Sequence, residues 1–281
     1  MPATYAHWAF GNDCINKMPN NLKEIIIANR EIFDLGVHGP DILFYDLAHP
    51  KISKHGFAMH NIPAEEFFRN AKEAFLKHKE KEQMLAYIMG FLSHFVLDST
   101  CHGYVERKRE LSICSHNKIE SEWEQHVILL DKRQPNLVDR TESLKPNKEN
   151  SKIISYFFPY SQKEILRSCK MQRTIVKQLN CFTIKKQNRW QKFLRKNKLN
   201  NYADLFIGFE EDENCKDSNI RLDKLRALAL KRFPRLMKNL IDYLNGTDEL
   251  AKYFNHDFGP WDDYKKIEVL PYNEELKYKV K

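Results

Sequence analysis

The chain has 281 residues with a formal net charge of +8 and a mean hydropathy of −0.63, long enough for one large domain or two small ones with an unstapled core. It contains no run of 18 apolar residues that would read as a membrane span. Six cysteines (14, 101, 114, 169, 181 and 215) lack any Cys-x-x-Cys spacing and read as reduced, mostly structural thiols.

Met1-Pro2-Ala3-Thr4-Tyr5-Ala6-His7-Trp8 has neither a basic n-region nor an apolar h-region, so the chain reads as cytoplasmic. Residues 21–35 have helical periodicity through Ile25, Ile26, Ala28 and Ile32, with Gly36 as the stop. Pro63 suits a first helical position, followed by Glu65 and Glu66 in the first turn and Phe67, Phe68, Ala71 and Phe75 facing inward. A long helix is expected over 82–107, and a second over 116–130, capped by Ser115. Residues 131–150 are polar with two prolines and read as a connecting segment. Further helices are expected near 160–180 and 221–245 within a 151–256 region, followed by a C-terminal tail over 257–281. No β-alternation or internal repeat is present, so the fold class is all-α, a multi-helix bundle forming a single helical domain over 1–281.

The positive charge permits phosphate-rich partners, either nucleic acid or an anionic membrane surface. Its densest stretch, residues 185–196, interleaves cations with aromatics as single-strand binders do. The simpler reading is an amphipathic helix with Trp190, Phe193 and Leu194 turned inward.

The chemistry-bearing signal lies in residues 94–120. His94, Asp98 and His102 recur every four positions inside an apolar run, which stacks them on one helix face. His116 and Glu120 repeat the spacing. From 11 His and 38 acids, chance yields about 1.5 His-x3-acid pairs, so the four present carry little weight singly. A His-x3-acid-x3-His run has a chance expectation of only roughly 0.06. A carboxylate such as Asp98 in an apolar stretch is costly unless it is paired or metal-bound. The pair His78/Glu82 sits among lysines and glutamates and reads instead as a solvated helix face. Cys101, beside His102, points about 100° away from the ridge.

His7, Asp41 on a Gly39-Pro40 turn and His60 just before a helix complete an ordered set with these residues. That order resembles the zinc-dependent phospholipase C family, all-helical enzymes whose fold is shared with P1-type nucleases. The resemblance covers roughly residues 1–130, a metal-binding half; the rest matches only as further helix. It implies two or three Zn2+ ions at the bottom of a cleft. His60, His94 and Asp98 would hold one, with Asp41 beside it as ligand and general base. His102, His116 and Glu120 would hold a second, and His7 with a bridging Asp98 would belong to a third. The secreted enzymes begin with a Trp that binds the third zinc, whereas this chain begins Met1-Pro2, with Trp8 as its nearest Trp. The Asp98-x3-His102 gap is also shorter than theirs, which keeps all three ligands on one helix.

The implied activity is zinc-dependent phosphodiester hydrolysis of phospholipase C type. A phospholipid or other phosphodiester is the expected substrate, with peripheral membrane contact; nucleic acid is the weaker expectation. Alternatives are a nuclease or nucleotidase on the same fold, a non-catalytic metal-binding protein, and an HD-type phosphohydrolase. The last needs an adjacent His-Asp pair, found only at His256-Asp257.

Overall fold

A helix of 31 residues, about 46 Å long, runs through the middle of the molecule and carries three of the candidate ligands. The computed structural model describes residues 3–180 and 183–280. In chain order the helices are α1 (Thr4–Asn16), α2 (Asn20–Ala28), α3 (Arg30–Gly36), α4 (Asp41–Phe44), α5 (Pro50–Met59), α6 (Ala64–Lys77), α7 (Lys81–Leu111), α8 (His116–Leu130), α9 (Lys148–Ile154), α10 (Gln162–Leu179), α11 (Ile184–Lys196), α12 (Asn200–Ala203), α13 (Lys216–Leu244) and α14 (Tyr272–Glu275). Short 3-10 turns punctuate the C-terminal part, and no strand occurs among the described residues. The all-α class is therefore observed.

α7 is the central helix because it is apolar on every side: Ala86 through His102 is buried without interruption. By length and composition it could cross a membrane, but 94% of its apolar window is buried inside the fold. That burial is what the core helix of a folded domain requires. α3 and α13 pack most extensively on it, with α1, α8 and α6 around them. Phe67 stacks on Phe91 at 3.5 Å, and Phe68, Phe95, Phe254 and Phe258 extend this aromatic core towards the ligands. Burying each such ring stabilises the fold by roughly 1.5–3 kcal/mol.

Two glycines let α3 and α7 touch backbone to backbone. A Cβ on Gly90 would stand 2.4 Å from the Phe33 carbonyl oxygen, and one on Gly36 would stand 2.5 Å from that of Tyr87. No larger residue fits either place. The close approach sets the Val37 carbonyl against His94.

Three stretches of the chain gain detail in the structure. The helix expected over 21–35 breaks at Asn29, whose side-chain amide donates to the Ile25 carbonyl at 2.9 Å and closes α2 before α3 begins. Residues 131–147 connect α8 to α9 and are packed into the fold, with Val138, Arg140, Thr141, Ser143 and Leu144 buried. Arg140 donates to Glu124 of α8 at 2.8 Å, and the same Glu124 accepts from the Tyr5 backbone N–H. This charge-paired bridge fixes the entry of α1. Third, Trp190 and Phe193 of α11 face outward, with 47% and 55% exposure, while Gln187 is the buried residue of that helix.

Pro63 stands one residue ahead of α6 as its N-cap rather than at its first position, and Gly36 is the last residue of α3 rather than the stop beyond it. Ser115 Oγ accepts from the Lys118 N–H and starts α8. Cys14, Cys101, Cys114, Cys169 and Cys215 are free, buried thiols; Cys181 lies outside the described residues, as do Met1 and Pro2.

Candidate metal centre

Five elements converge on the Asp98 carboxylate. α7 stacks His94, Asp98 and His102 one turn apart. His7 comes from α1, Asp41 is the first residue of α4, and His60 caps the C-terminus of α5. α8 brings His116 and, one turn on, Glu120.

Asp98 Oδ2 lies 3.1 Å from His94 Nε2 and 3.8 Å from His60 Nε2. Its Oδ1 lies 3.3 Å from His7 Nε2 and 3.9 Å from His102 Nε2. His60 Nε2 is also 3.1 Å from Asp41 Oδ1. Glu120 Oε1 lies 2.9 Å from His116 Nε2 and 3.4 Å from His102 Nε2. Three groups have ligand atoms within 4.8 Å of one another: His7–Asp41–His94, His60–His94–Asp98 and His102–His116–Glu120. All eight sequence candidates are thus brought together.

The imidazoles are held by their far nitrogens. His60 Nδ1 donates to the Gly56 carbonyl at 3.0 Å, His94 Nδ1 to that of Val37 at 3.2 Å and His102 Nδ1 to that of Phe258 at 2.5 Å. Glu106 anchors His116 Nδ1 at 2.6 Å. A carbonyl oxygen can only accept, so Nδ1 carries a proton in the first three rings and Nε2 is the atom turned inward. Such outer anchors orient histidine ligands at metal sites and raise their basicity. The His7 ring stacks on that of His94 at 4.2 Å. Gly39, at φ +50°, leaves room for His94: a Cβ there would meet its Cδ2 at 2.4 Å.

The cluster is not self-satisfied. His7 Nδ1, His60 Nε2, His94 Nε2, Asp98 Oδ2 and Glu120 Oε2 are buried without a hydrogen-bond partner. Each such group costs about 1–3 kcal/mol. Several inward-facing orphans of imidazole and carboxylate type fit a zinc-class cation, which takes these donors. A small enclosed void of about 10 Å³, lined in part by His7, Asp98, His102 and Glu120, lies among them.

Without an ion, the two sides of the cluster hold protons differently. Burial would push the Asp98 carboxyl up, but His94, His102 and His7 hold it well below the usual carboxylate range. Burial likewise opposes ionisation of Asp41, yet the positive charge around it, with His60 and His94 among its sources, holds its carboxyl below the usual carboxylate range. Burial pushes the His94 imidazole down, against the pull of Asp98. His116 goes the other way: burial disfavours its charge, yet Glu120 and Glu106 raise it to about 10. Glu120, despite its burial, is held at about 2 by His116 and His102.

Access is confined to two edges. Most ligands are buried, while the side chains of His60 and His116 retain 12% and 26% exposure. Phe258 of the tail packs against His60 and His94 and covers the cluster between them. Beside His116 opens a cavity of about 390 Å³ lined by Arg109, Ile113, Ser115, Asn117 and Asn201 among others.

Residues read as bystanders lie apart. His78 stacks on Tyr156 at 3.6 Å, and the helix breaks between it and Glu82, so the pair is not a helix face. His256 stacks on Trp261 at 3.9 Å, and the His256-Asp257 pair joins none of the three groups. Trp8 packs on Tyr5 rather than joining them. Two residues were missed from the site. Glu106 carried a signal in its His102-x3 spacing, yet it serves His116. His38 was visible only as a neighbour of Asp41; it is buried, 3.1 Å from Ser143 Oγ, and burial, with His7 nearby, lowers it to about 3.

Fold and site together define an all-helical protein with a buried imidazole–carboxylate centre suited to metal. Residues 6–203 match the family model for zinc-dependent phospholipase C. The chain belongs to that family, and the likeness reaches well past the first 130 residues. Membership supports zinc dependence and a phosphodiesterase-type hydrolase function. No curated protein and no solved structure matches the chain significantly.

Proposed function

We propose that the protein is a zinc-dependent phosphodiester hydrolase of phospholipase C type, acting on a phospholipid or a related phosphodiester. The observation that carries this reading is the convergence of His7, His60, His94 and His102 on the two oxygens of one buried carboxylate, Asp98. A carboxylate so placed is suited to bridge neighbouring ions, and the unpartnered buried nitrogens beside it are suited to complete their shells. His60, His94 and Asp98 would hold one ion and His102, His116 and Glu120 another; His7 and Asp41 supply donors for a third. Bound zinc would polarise the phosphoryl group and lower the pKa of water.

The remaining work falls to side chains. Asp41, kept ionised beside His60, is the group to accept the proton of the attacking water. Glu106 and the carbonyls of Val37, Gly56 and Phe258 fix the imidazoles, so little reorganisation accompanies the reaction. Water adds across one P–O bond, giving an alcohol and a phosphomonoester. No protein nucleophile is needed.

The test is hydrolysis of phosphatidylcholine beside single-stranded DNA, before and after chelation and on return of zinc. Chelation should abolish phospholipid turnover and zinc restore it. Preferential DNA cleavage would move the assignment to a nuclease on this fold, and full metal loading without turnover of either would make the centre structural.

A further inference from the structure

We propose that α11, with its continuation through α12, is a basic–aromatic arm that docks the protein on an anionic phospholipid surface and turns the His116 edge of the site towards it. The inference rests on the phospholipase reading for its purpose, but not for its evidence.

Residues 184–203 contain seven cations (Lys185, Lys186, Arg189, Lys192, Arg195, Lys196 and Lys198) and no acidic residue. All seven are exposed, and among the described residues only Arg195 forms an ion pair, with Asp204 at 3.4 Å. Lys185, Arg189, Lys192 and Lys196 recur every three to four positions and share one face. Gln187, Gln191 and Leu194 form the opposite one, where Gln191 donates to the Ala203 carbonyl at 3.1 Å. Trp190 and Phe193 flank this packed face and are held edge-to-face at 6.0 Å, both exposed. Ile184, Leu199 and Tyr202 add exposures of 55%, 41% and 49%. A soluble helix normally turns Trp and Phe inward; here two large rings are kept in water beside unpaired cations. That is the composition of a helix lying in a bilayer interface, with rings at headgroup depth and cations on anionic lipid.

Placement strengthens the argument. The arm is fastened to the N-terminus of α8, where His116 sits: Asn117 donates to the Asn201 carbonyl at 2.9 Å, and Ser115 Oγ to Asp204 at 2.7 Å. The 390 Å³ cavity beside His116 lies at this junction, with Asn201 on one wall and Ile113, 88% exposed, on the other. The more open edge of the centre is thus rimmed by the exposed Ile113 on one side and by the root of the arm at Asn201 on the other. A membrane-bound headgroup would reach His116 from that direction.

The experiment uses metal-stripped full-length protein, so that binding is read without hydrolysis. It is sedimented with vesicles of phosphatidylcholine alone or mixed with phosphatidylserine. The wild type should bind the mixed vesicles and release at high salt. Trp190→Ala/Phe193→Ala and Lys185→Glu/Arg189→Glu/Lys192→Glu should each lower partitioning at least about tenfold. Both should keep the wild-type melting temperature and, once zinc-loaded, its rate on a soluble short-chain substrate. In the wild type, brominated lipid chains should quench tryptophan emission, and Trp190→Phe should remove that quenching even if the multiple variants fold poorly. The proposal is overturned if the wild type ignores anionic vesicles, if the variants bind as well as wild type, or if the arm binds single-stranded nucleic acid and not lipid. Loss of turnover on the soluble substrate by the wild type would defeat the phospholipase reading and leave the docking result standing.

Discussion

The cluster around Asp98 and the arm formed by α11 carry related side chains under opposite conditions. In the cluster, imidazoles and carboxylates sit in or at the edge of the core; four rings are fixed from behind by a carbonyl or by Glu106, and His60 Nε2, His94 Nε2, Asp98 Oδ2 and Glu120 Oε2 are left unpartnered. In the arm, cations and rings stand in solvent, with one ion pair among seven cations. Unmet hydrogen-bonding capacity inside a core is costly and points to a small cation. Exposed rings beside unpaired cations cost little and point to an extended, anionic surface. The two regions are joined at the N-terminus of α8, where His116 is the ligand with the most open side chain.

If this contrast is right, single changes in the cluster should be severe and changes in the arm invisible to the core. The largest effect is expected for Asp98→Asn, which keeps shape but removes the charge facing four imidazoles. It should release at least one ion and reduce hydrolysis below detection, while His78→Ala changes neither metal content nor rate. Equal damage from both would break the contrast.

Asp41→Asn comes next. It should retain most of the metal and the fold while turnover falls by about 10²–10⁴. A fall in melting temperature with unchanged turnover per folded molecule would make Asp41 a turn residue after Gly39-Pro40 instead. Glu106→Gln acts one step further out, by loosening the His116 ring. Zinc affinity at the His102–His116–Glu120 group should weaken about 10–100-fold, read by competition with a chelator.

The two sides of the cluster should also differ in proton release. His116, raised to about 10, carries a proton through the neutral range, so zinc uptake beside it must displace that proton. His94, lowered by burial, has none to lose there. Loading of the His116 group should therefore strengthen as pH rises towards about 10, with protons released to an indicator dye, while the His60–His94–Asp98 group varies less. In ion-free protein the sign for stability is reversed. The raised His116 stabilises most below the ordinary imidazole value of 6.5 and loses that contribution as pH climbs through about 10. The depressed Glu120 stabilises above 4.5 and loses it as pH falls towards about 2. Melting of chelated protein across pH checks both limbs.

The smallest effect belongs to the arm. Trp190→Ala should shift the stability of the fold by no more than about 0.5 kcal/mol, because the ring is half exposed. A larger loss would mean that Trp190 is core after all.

This ordering also explains what could be read from residues alone. His94, Asp98, His102, His116 and Glu120 were legible because helical spacing places them on a face before any fold is known. His7, Asp41 and His60 come from separate short elements, so only their order along the chain, set beside a known family, singled them out. The carbonyls of Val37, Gly56 and Phe258 left no trace, since backbone acceptors have no residue type. Cys114 and Cys215, whose sulfurs lie 3.2 Å apart, are 101 positions distant and looked unrelated. Asn29 breaks a good apolar periodicity through one side-chain hydrogen bond, a local competition that periodicity does not register. The inward reading of Trp190 and Phe193 failed for a different reason: amphipathic spacing reveals a face but not what that face meets.

The most direct test of the account is zinc stoichiometry, read by elemental analysis after metal-stripped protein is reconstituted and freed of excess ion. Two or three ions per chain, falling by at least one in Asp98→Asn, is the result expected of ligand groups that meet at a shared carboxylate. Less than one ion per chain after reconstitution would contradict it, and would leave the buried imidazoles and carboxylates of this core as an ion-pair network and nothing more.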